Sequence, residues 1–301
     1  CPRRESAFLA VWAEKANFPI ALRCRCLTGS RSAYYAWACK QRPTPKDLED
    51  KALLDQVREA HSTSRGIYGS PRIHAALNRR GLIVSRHRVA RLMRQHGLRG
   101  RVRRRYRCTT DSKHAQPIAP NRLRLAFYAD RSDLKWCADI TRIPVEGGFL
   151  YLAAIIDIPT RLVVGWALAD HMEASLVEEA LLNALAWRRP AAGAMHHSDR
   201  GSQYASGDFQ KLLKAHGIEC SMRRMGDCWD NAMTESFFGT IKQELIHDSR
   251  WKGMQEARPA LHDYIERFYN RTRLHSGIGY RTPIEMDREL ARTASVVINH
   301  L

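Results

Sequence analysis

The middle of the chain, from about residue 133 onward, has the hydrophobic patterning of strands. Three largely apolar runs cover residues 134–145, 149–158 and 162–169, and short turn sequences with Gly147 and Pro159 separate them. Runs of this length that follow one another so closely predict three strands joined as hairpins.

After these runs, amphipathic segments and short apolar segments alternate. Helical periodicity covers residues 173–187 and 209–216, and short strand-like runs cover 194–197 and 218–222. Hairpin-linked strands followed by alternating helices and strands predict an α/β fold, in which a mixed sheet carries helices on its faces. This order of elements is typical of the ribonuclease-H-like class.

The first 129 residues are patterned as short helices instead. A turn at Gly29 separates two helical segments, and Ser30 stands where it caps the second one, which predicts a helix-turn-helix. A second helix-turn-helix follows, because Ser85 is placed as the N-cap of a helix that turns Val89 and Leu92 inward.

The last helix of this second unit has a basic outer face and continues into a basic arm. The arginines of the helix face are Arg86, Arg88, Arg91 and Arg94. Six arginines follow within residues 99–107, among them Arg101, Arg103, Arg104 and Arg105. Like charges at this density repel one another, which predicts an arm that contacts DNA phosphates. The alternatives are an ordinary solvated helix face and a solubilising linker.

The net charge of the chain is +18, and it is distributed unevenly. Residues 1–129 hold 28 Lys and Arg against 8 Asp and Glu, whereas residues 130–301 hold 21 against 23. An excess of positive charge confined to one part of a chain indicates a polyanionic partner, since neutralised phosphates release counterions and so favour binding. We therefore expect double-stranded DNA as the partner of the N-terminal part.

Three acidic residues are the candidates for chemistry. Asp139 lies inside the first strand-like run, Asp199 follows the fourth, and Glu235 lies in a helical segment, with 35 residues between it and Asp199. Carboxylates are costly to gather in a fold, and divalent cations are the usual reason for doing so. Two Mg²⁺ ions, with Mn²⁺ as a substitute, are the cofactors that this set would hold for phosphoryl chemistry.

The residues around the carboxylates make this interpretation specific. The sequences Asp139-Ile140-Thr141, His197-Ser198-Asp199-Arg200-Gly201-Ser202-Gln203-Tyr204 and Cys228-Trp229-Asp230-Asn231-Ala232-Met233-Thr234-Glu235-Ser236-Phe237-Phe238 together resemble the DDE transposases of the bacterial insertion-sequence-three family. The resemblance extends from about Glu14 to about Met286. It implies a retroviral-integrase-like core that cuts and joins DNA, with Asp139, Asp199 and Glu235 as catalytic metal ligands.

The helical segment around Glu235 can be tested by its periodicity. At 100° per residue, Met233, Phe237 and Ile241 share an apolar stripe, and a polar stripe beside it carries Asn231, Glu235 and Lys242. The resemblance implies that Lys242 grips transposon-end DNA, and we place Asn231 with it as a DNA contact. The alternative for Lys242 is an ordinary surface lysine.

Three further polar residues lie near the carboxylates in sequence. Asp157 ends a strand before Pro159, where a turn-stabilising carboxylate is favoured over a metal ligand. His196 and His197 precede Asp199, and either a structural role or a role in orienting Asp199 or touching DNA is open to them.

These patterns divide the chain into four segments. They are a helix-turn-helix-like segment at 1–45, a second helix-turn-helix with its basic arm at 46–125, an integrase-type catalytic core at 126–245 and a C-terminal helical extension at 246–301. The extension contains a helical region at 256–269 interrupted by Pro259. The segment that follows it, up to Ser276, is expected to pack on the core and reach DNA.

The predicted function is metal-dependent DNA cleavage and strand transfer of an insertion element. A catalytically silent DNA-binding regulator of transposition and a ribonuclease-H-type nuclease are the alternatives. No apolar run approaches the roughly 20 residues of a membrane span. No secretory leader is expected, and the eight cysteines contain no Cys-x-x-Cys pair, so we expect a bacterial cytoplasmic, nucleoid-associated protein with reduced thiols. A homo-oligomer on DNA is expected, and a chain beginning with Cys1 suggests one frame of a longer product with an upstream-frame polypeptide as a possible partner.

Overall fold

The structure is a computed structural model, and it describes residues 2–13, 18–41, 44–101, 119–123, 128–223 and 232–298. The predicted α/β fold is confirmed: a five-stranded mixed sheet has helices on both faces. Its strands are β1 (Lys135–Val145), β2 (Gly148–Asp157), β3 (Val163–Ala169), β4 (Met195–Ser198) and β5 (Glu219–Met222). All five predicted strands are present, and each end lies within one residue of its expected position.

The order of strands across the sheet is β3-β2-β1-β4-β5. β1 pairs antiparallel with β2, and β2 pairs antiparallel with β3, as the predicted hairpins require. On its other side β1 pairs parallel with β4, which pairs parallel with β5. The chain therefore crosses over after β3 and returns to the side of β1 opposite β2. β1 is thus the central strand, between β2 and β4.

Both faces of the sheet are buried. Alternate residues of β2 face opposite ways, with Leu152 and Ala154 in one hydrophobic cluster and Ala153 and Ile155 in the other. The helix α7 (Ala174–Arg188) covers the second face. It approaches β3 closely at Gly165, where a Cβ would overlap the carbonyl oxygen of Ala180.

The first face carries the C-terminal helices and the second helix-turn-helix unit. The remaining helices of the core and the extension are α8 (Gly207–Ala215), α9 (Ala232–Glu244), α10 (Met254–His262) and α11 (Pro283–Ile298). Pro259 lies within α10 without ending it, and the helical path continues as a π-helix over Asp263–Tyr269. Tyr269, Asn270 and Leu274 are buried, so the predicted packing of this segment on the core is confirmed.

Among the described residues, six helices precede the sheet. They are α1 (Pro2–Ala13), α2 (Ile20–Cys26), α3 (Arg31–Gln41), α4 (Pro45–Thr63), α5 (Ser70–Arg79) and α6 (Arg86–Gln95). The cap at Ser85 is confirmed, since its hydroxyl accepts a hydrogen bond from the Arg88 N–H at 3.2 Å. The cap at Ser30 is also present, with a longer bond of 3.5 Å from the Ala33 N–H.

Candidate active site

The first two carboxylates come from neighbouring parallel strands, Asp139 from within β1 and Asp199 from the residue after β4. The register of β1 and β4 pairs Cys137 with His197, and two residues further along come Asp139 and Asp199. Neighbouring strands are about 4.8 Å apart, so the two positions lie side by side. The crossover after β3 produces this juxtaposition, because it returns the chain to the free side of β1.

The electrostatics of Asp139 show that the other two carboxylates are near it. Burial raises the pKa of Asp139 to about 7, and the negative charge of Asp199 adds to this effect. The charge of Glu235 raises the same pKa by a smaller amount, whereas the Ile140 N–H and Arg223 oppose the shift. The fold therefore brings three negatively charged carboxylates together at a partly buried site. Their mutual repulsion is unfavourable unless a bound cation or a proton compensates it.

The carboxylate of Asp199 is held by the loop that follows it. Its Oδ1 accepts a hydrogen bond from the Gly201 N–H at 2.9 Å. A Cβ at position 201 would come within 3.0 Å of that oxygen and 2.8 Å of the Gln203 Oε1. A side chain at position 201 would press on both of these side-chain oxygens, and the Gly201 N–H orients Asp199, a role that sequence reasoning missed. Its signal is the Asp-x-Gly spacing directly after a strand.

Glu235 reaches the other carboxylates from α9. Phe237, Phe238 and Ile241 of this helix are buried against the sheet, which confirms the predicted apolar stripe. Glu235 is partly buried at the border of that stripe. Lys242 lies two turns later and about 20° away around the helix axis, so the two side chains leave α9 on the same side. Asn231 lies outside the described residues.

The chemistry of this donor set fits a divalent cation. All three groups supply hard carboxylate oxygens, and a bound cation would remove the repulsion that raises the pKa of Asp139. The side chains as they stand do not form a ligand cage. In the parts of the chain that the structure describes, no group of three or more His, Cys, Asp or Glu side chains is arranged to hold a metal ion.

The histidines before Asp199 are both buried in the core. His196 is fully buried, with its ring centroid 6.0 Å from that of Tyr204 and 5.3 Å from that of Phe209. Burial lowers the pKa of His196 to about 3, so it is neutral at physiological pH. His197 is buried as well, and its Nδ1 lies 2.9 Å from the Ser221 hydroxyl on β5.

Asp157 stabilises a turn, as its position before Pro159 predicts. It is fully buried, and the Thr160 hydroxyl donates a hydrogen bond to its Oδ2 at 2.5 Å. The N–H of Asp133 donates to the Oδ1 of Asp157 at 2.9 Å. Burial raises the pKa of Asp157 to about 7.

The arginines of the predicted recognition helix fall into two groups. Arg88 and Arg91 make ion pairs with Asp50 of α4 at 2.7 and 2.6 Å, and Arg88 also contacts Glu49 at 3.2 Å. Arg86 and Arg94 are exposed. The internal ion pairs were not predicted, because Asp50 is distant in sequence from α6 and nothing local indicates the contact.

The described part of the basic arm is short. Arg101 is the last described residue at the start of the arm. Its guanidinium binds Asp248 at 2.8 Å and the carbonyl oxygen of Glu244 at 2.8 Å. This arginine therefore holds the helix-turn-helix unit against the C-terminal end of α9. Arg103, Arg104 and Arg105 lie outside the described residues, so their role as DNA contacts stays a prediction.

Comparison with known proteins relates this chain to integrase core domains and to an HTH-like domain. Models of the integrase core domain match residues 129–228 and 216–283, and a model of an HTH-like domain matches residues 47–106. Integrase core domains generally use divalent metal ions.

Two relatives match along most of their length. The chain is 40% identical over 260 residues to the insertion element IS600 uncharacterized 31 kDa protein of Shigella sonnei, covering 86% of this chain and 95% of the relative. It is 35% identical over 276 residues to the transposase InsF for insertion sequence IS3A of Escherichia coli K12, covering 91% and 96%. Among solved structures, the HTLV-2 integrase catalytic core domain in complex with magnesium matches with a TM-score of 0.39 and 18% identity, covering 52% of this chain and 97% of that chain. Along the described residues, none of the helices has both the length and the apolar character needed to span a membrane.

Proposed function

The chain belongs to the IS3 family of transposases, and we propose that Asp139, Asp199 and Glu235 carry its DNA cleavage and strand-transfer chemistry. As a transposase with an integrase core domain, the protein is an enzyme of the polynucleotidyl transferase type. Its HTH-like domain and its family imply that it binds DNA. The observation that carries the site assignment is the position of Asp139, within β1, beside Asp199 at the end of β4, with the charge of Glu235 reaching Asp139.

In this proposal each residue has a separate task. Asp139 and Asp199 present carboxylate oxygens from the rigid sheet, the Gly201 N–H fixes the orientation of Asp199, and Glu235 completes the set from α9. Two Mg²⁺ ions bound there, or Mn²⁺ in their place, would activate a water or a 3′-hydroxyl and stabilise the leaving 3′-oxygen. Lys242, on the same side of α9 as Glu235, contacts a phosphate of the element end.

The decisive experiment incubates the full-length protein with labelled element-end DNA and Mg²⁺ and scores nicking and joining separately. We expect both products from the wild type, and loss of both from Asp199→Asn and Glu235→Gln, because each change keeps size but removes a charged oxygen ligand. Duplex binding should persist in both variants. Binding without either product would assign the chain to regulation of transposition, and cutting without joining would assign it to nuclease activity.

Arginines of α6 provide a second test, on DNA binding. We expect Arg86→Ala and Arg94→Ala to weaken binding of element-end DNA while the melting temperature stays unchanged, because both side chains are exposed. A base-reading arginine should cost roughly 1–3 kcal/mol on the cognate end only, and a phosphate contact should lower the salt slope by about one. Fluorescence anisotropy with cognate and scrambled duplexes over a salt series distinguishes the two.

Arg88→Ala is the matched control for these variants. Its guanidinium bridges Glu49 and Asp50, so its removal should lower the melting temperature of the N-terminal unit. If Arg88→Ala instead weakens DNA binding with no thermal effect, the ion pairs with α4 open in the complex and α6 presents all its arginines to DNA.

We further propose a homo-oligomer that brings two element ends together, because one catalytic site acts on one strand end at a time. A protein that binds and joins bacterial DNA acts at the nucleoid in the cytoplasm. An upstream-frame polypeptide remains a proposed partner. Size-exclusion chromatography with light scattering, with and without end DNA, measures the assembly.

A further inference from the structure

A polar cavity lies along α9, on a different face of the helix from Glu235. It has a volume of about 270 Å³ and is formed where the helix-turn-helix unit, the core and the C-terminal extension meet. The α9 residues that line it are Ser236, Thr240, Gln243 and Glu244, which lie roughly 80–180° around the helix from Glu235. Nothing in the proposed chemistry uses these side chains.

Four arginines line this cavity, from four different parts of the chain. Arg72 comes from α5, Arg101 from the start of the arm, Arg161 from the turn between β2 and β3, and Arg273 from the extension. Among the described residues that line the cavity, the only carboxylate is that of Glu244. The cavity is therefore strongly positive.

The negative charge of Glu244 is already committed to one arginine. Arg273 binds both of its carboxylate oxygens, at 2.7 and 2.8 Å, and the Tyr264 hydroxyl donates to Oε2 at 2.6 Å. Arg72 stands further away, 3.7 Å from Oε1. Arg101 is paired with Asp248 at 2.8 Å.

Arg161 has no such partner. Its Nη2 lies over Gly277, where a Cβ would come within 2.6 Å. Among the residues that the structure describes, no carboxylate lies within ion-pair distance of Arg161. The nearby carboxylate of Asp157 accepts a hydrogen bond from the Thr160 hydroxyl instead. Gly277 thus leaves room for a guanidinium that has not been neutralised.

The excess positive charge lowers the pKa values of neighbouring groups. The pKa of His275 lies well below its ordinary value, because of burial first and then the charges of Arg273, Arg161 and Arg72. The pKa of Arg72 is also lowered, by burial and then by Arg273. The single carboxylate of Glu244 therefore does not neutralise the arginines that line the cavity.

We propose that this cavity is a binding site for a phosphate group, held by Arg161 and Arg72 and by the hydroxyls of Ser236 and Thr240. Guanidinium groups bind phosphate oxygens with paired hydrogen bonds, and hydroxyls complete the shell. The inference rests on the proposed function only for the source of the phosphate, which is either the backbone of the element-end DNA or a free anion.

A phosphate bound in this cavity would contact three parts of the chain at once. The cavity walls come from the helix-turn-helix unit, from the helix that carries Glu235 and from the extension. A phosphate held there links the DNA-binding unit to α9 through Arg72. In the complex with DNA, binding of a phosphate in this cavity would be coupled to α9, the helix that supplies the third carboxylate.

Thermal unfolding of the full chain without Mg²⁺ tests the site independently of catalysis. Inorganic phosphate is the probe, compared with chloride at equal ionic strength so that screening is matched. We expect phosphate to raise the melting temperature of the wild type by a few degrees and to have little effect on Arg161→Gln. The control is Arg267→Gln, whose side chain is 78% exposed and lies outside the cavity, and which should respond like the wild type.

Thr240→Glu tests the charge argument in the opposite direction. A carboxylate placed in the cavity should raise the melting temperature in chloride, because it compensates the arginines, and should remove the response to phosphate. An absent response in the wild type, or an equal response in Arg161→Gln, would overturn the site, whatever the outcome of strand-transfer assays.

Duplex binding over a salt series identifies the source of the phosphate. If Arg161→Gln reduces the salt slope for element-end DNA by about one while Arg267→Gln does not, the phosphate belongs to DNA. If phosphate stabilises the wild type but both variants bind duplex with the same slope, the site takes a free phosphate anion.

Discussion

Asp139→Asn is expected to abolish strand transfer and, at pH 8 without metal ions, to make the protein more stable than the wild type. The loss of activity follows from the removal of a charged ligand at the centre of the carboxylate set. The gain in stability follows because the negative charge of Asp139 is unfavourable in the metal-free fold, owing to burial first and to Asp199 second.

The sign of the pH dependence can be stated from the pKa of Asp139. Its ordinary value is 3.8 and its value in the fold is about 7, so between these values the folded state holds a proton that the unfolded state has lost. The free energy of unfolding of the wild type therefore falls as the pH rises from about 4 through 7. Asparagine removes the contribution of Asp139 to this dependence, and the advantage of the variant at pH 8 should be on the order of 2–4 kcal/mol.

Asp157→Asn is the matched control. Its carboxyl group also has a pKa of about 7 because of burial, but it holds the turn after β2 through Thr160 and the Asp133 N–H. The amide oxygen of asparagine can still accept from the Asp133 N–H, whereas its NH2 group can only donate, to the Thr160 hydroxyl oxygen, so the second hydrogen bond is reversed. This variant should lose part of the pH dependence and retain strand transfer. Thermal melts from pH 5 to pH 8, with joining assays in Mg²⁺, measure both properties. A destabilised Asp139→Asn at pH 8, or one that still joins DNA, would contradict the assignment.

The parts of the fold that could be predicted are those decided by local chemistry. Apolar runs separated by turn residues define β1 to β3, and the hydroxyl of Ser85 sits where it caps α6 whatever the rest of the chain does. The same holds for α9, where helical spacing alone separates Phe237 and Ile241 from Glu235. The three carboxylates were found from the residues around them, not from spacing.

What could not be predicted depends on contacts between distant segments. The adjoining positions of Asp139 and Asp199 require the crossover that sets β4 beside β1, which no local pattern specifies. Arg88 was predicted as a DNA contact because its position in α6 is outward, and the fold brings Asp50 to it from α4. The cavity beside α9 is hidden in the sequence for the same reason, since its arginines lie far apart along the chain.

The ion pair between Glu244 and Arg273 gives the largest expected effect on stability. The two side chains are only 6% and 4% exposed, and the guanidinium binds the carboxylate through two nitrogens. Arg273→Ala would leave Glu244 buried with Tyr264 and the more distant Arg72, and would open a cavity under His275. We expect a loss of about 3–5 kcal/mol in the free energy of unfolding, because an uncompensated charge remains in the interior.

Urea denaturation of Arg273→Ala, Glu244→Gln and the double variant measures this loss and the coupling between the two residues. Arg271→Ala, at an exposed position two residues away, should change the free energy of unfolding by less than about 0.5 kcal/mol. The double variant should be less destabilised than the sum of the single ones, because removing both charges leaves no unpaired ion. Additive effects would mean that Arg273 contributes through packing alone. In that case Glu244 would be free to neutralise Arg72, and the positive charge of the cavity would depend on Arg161.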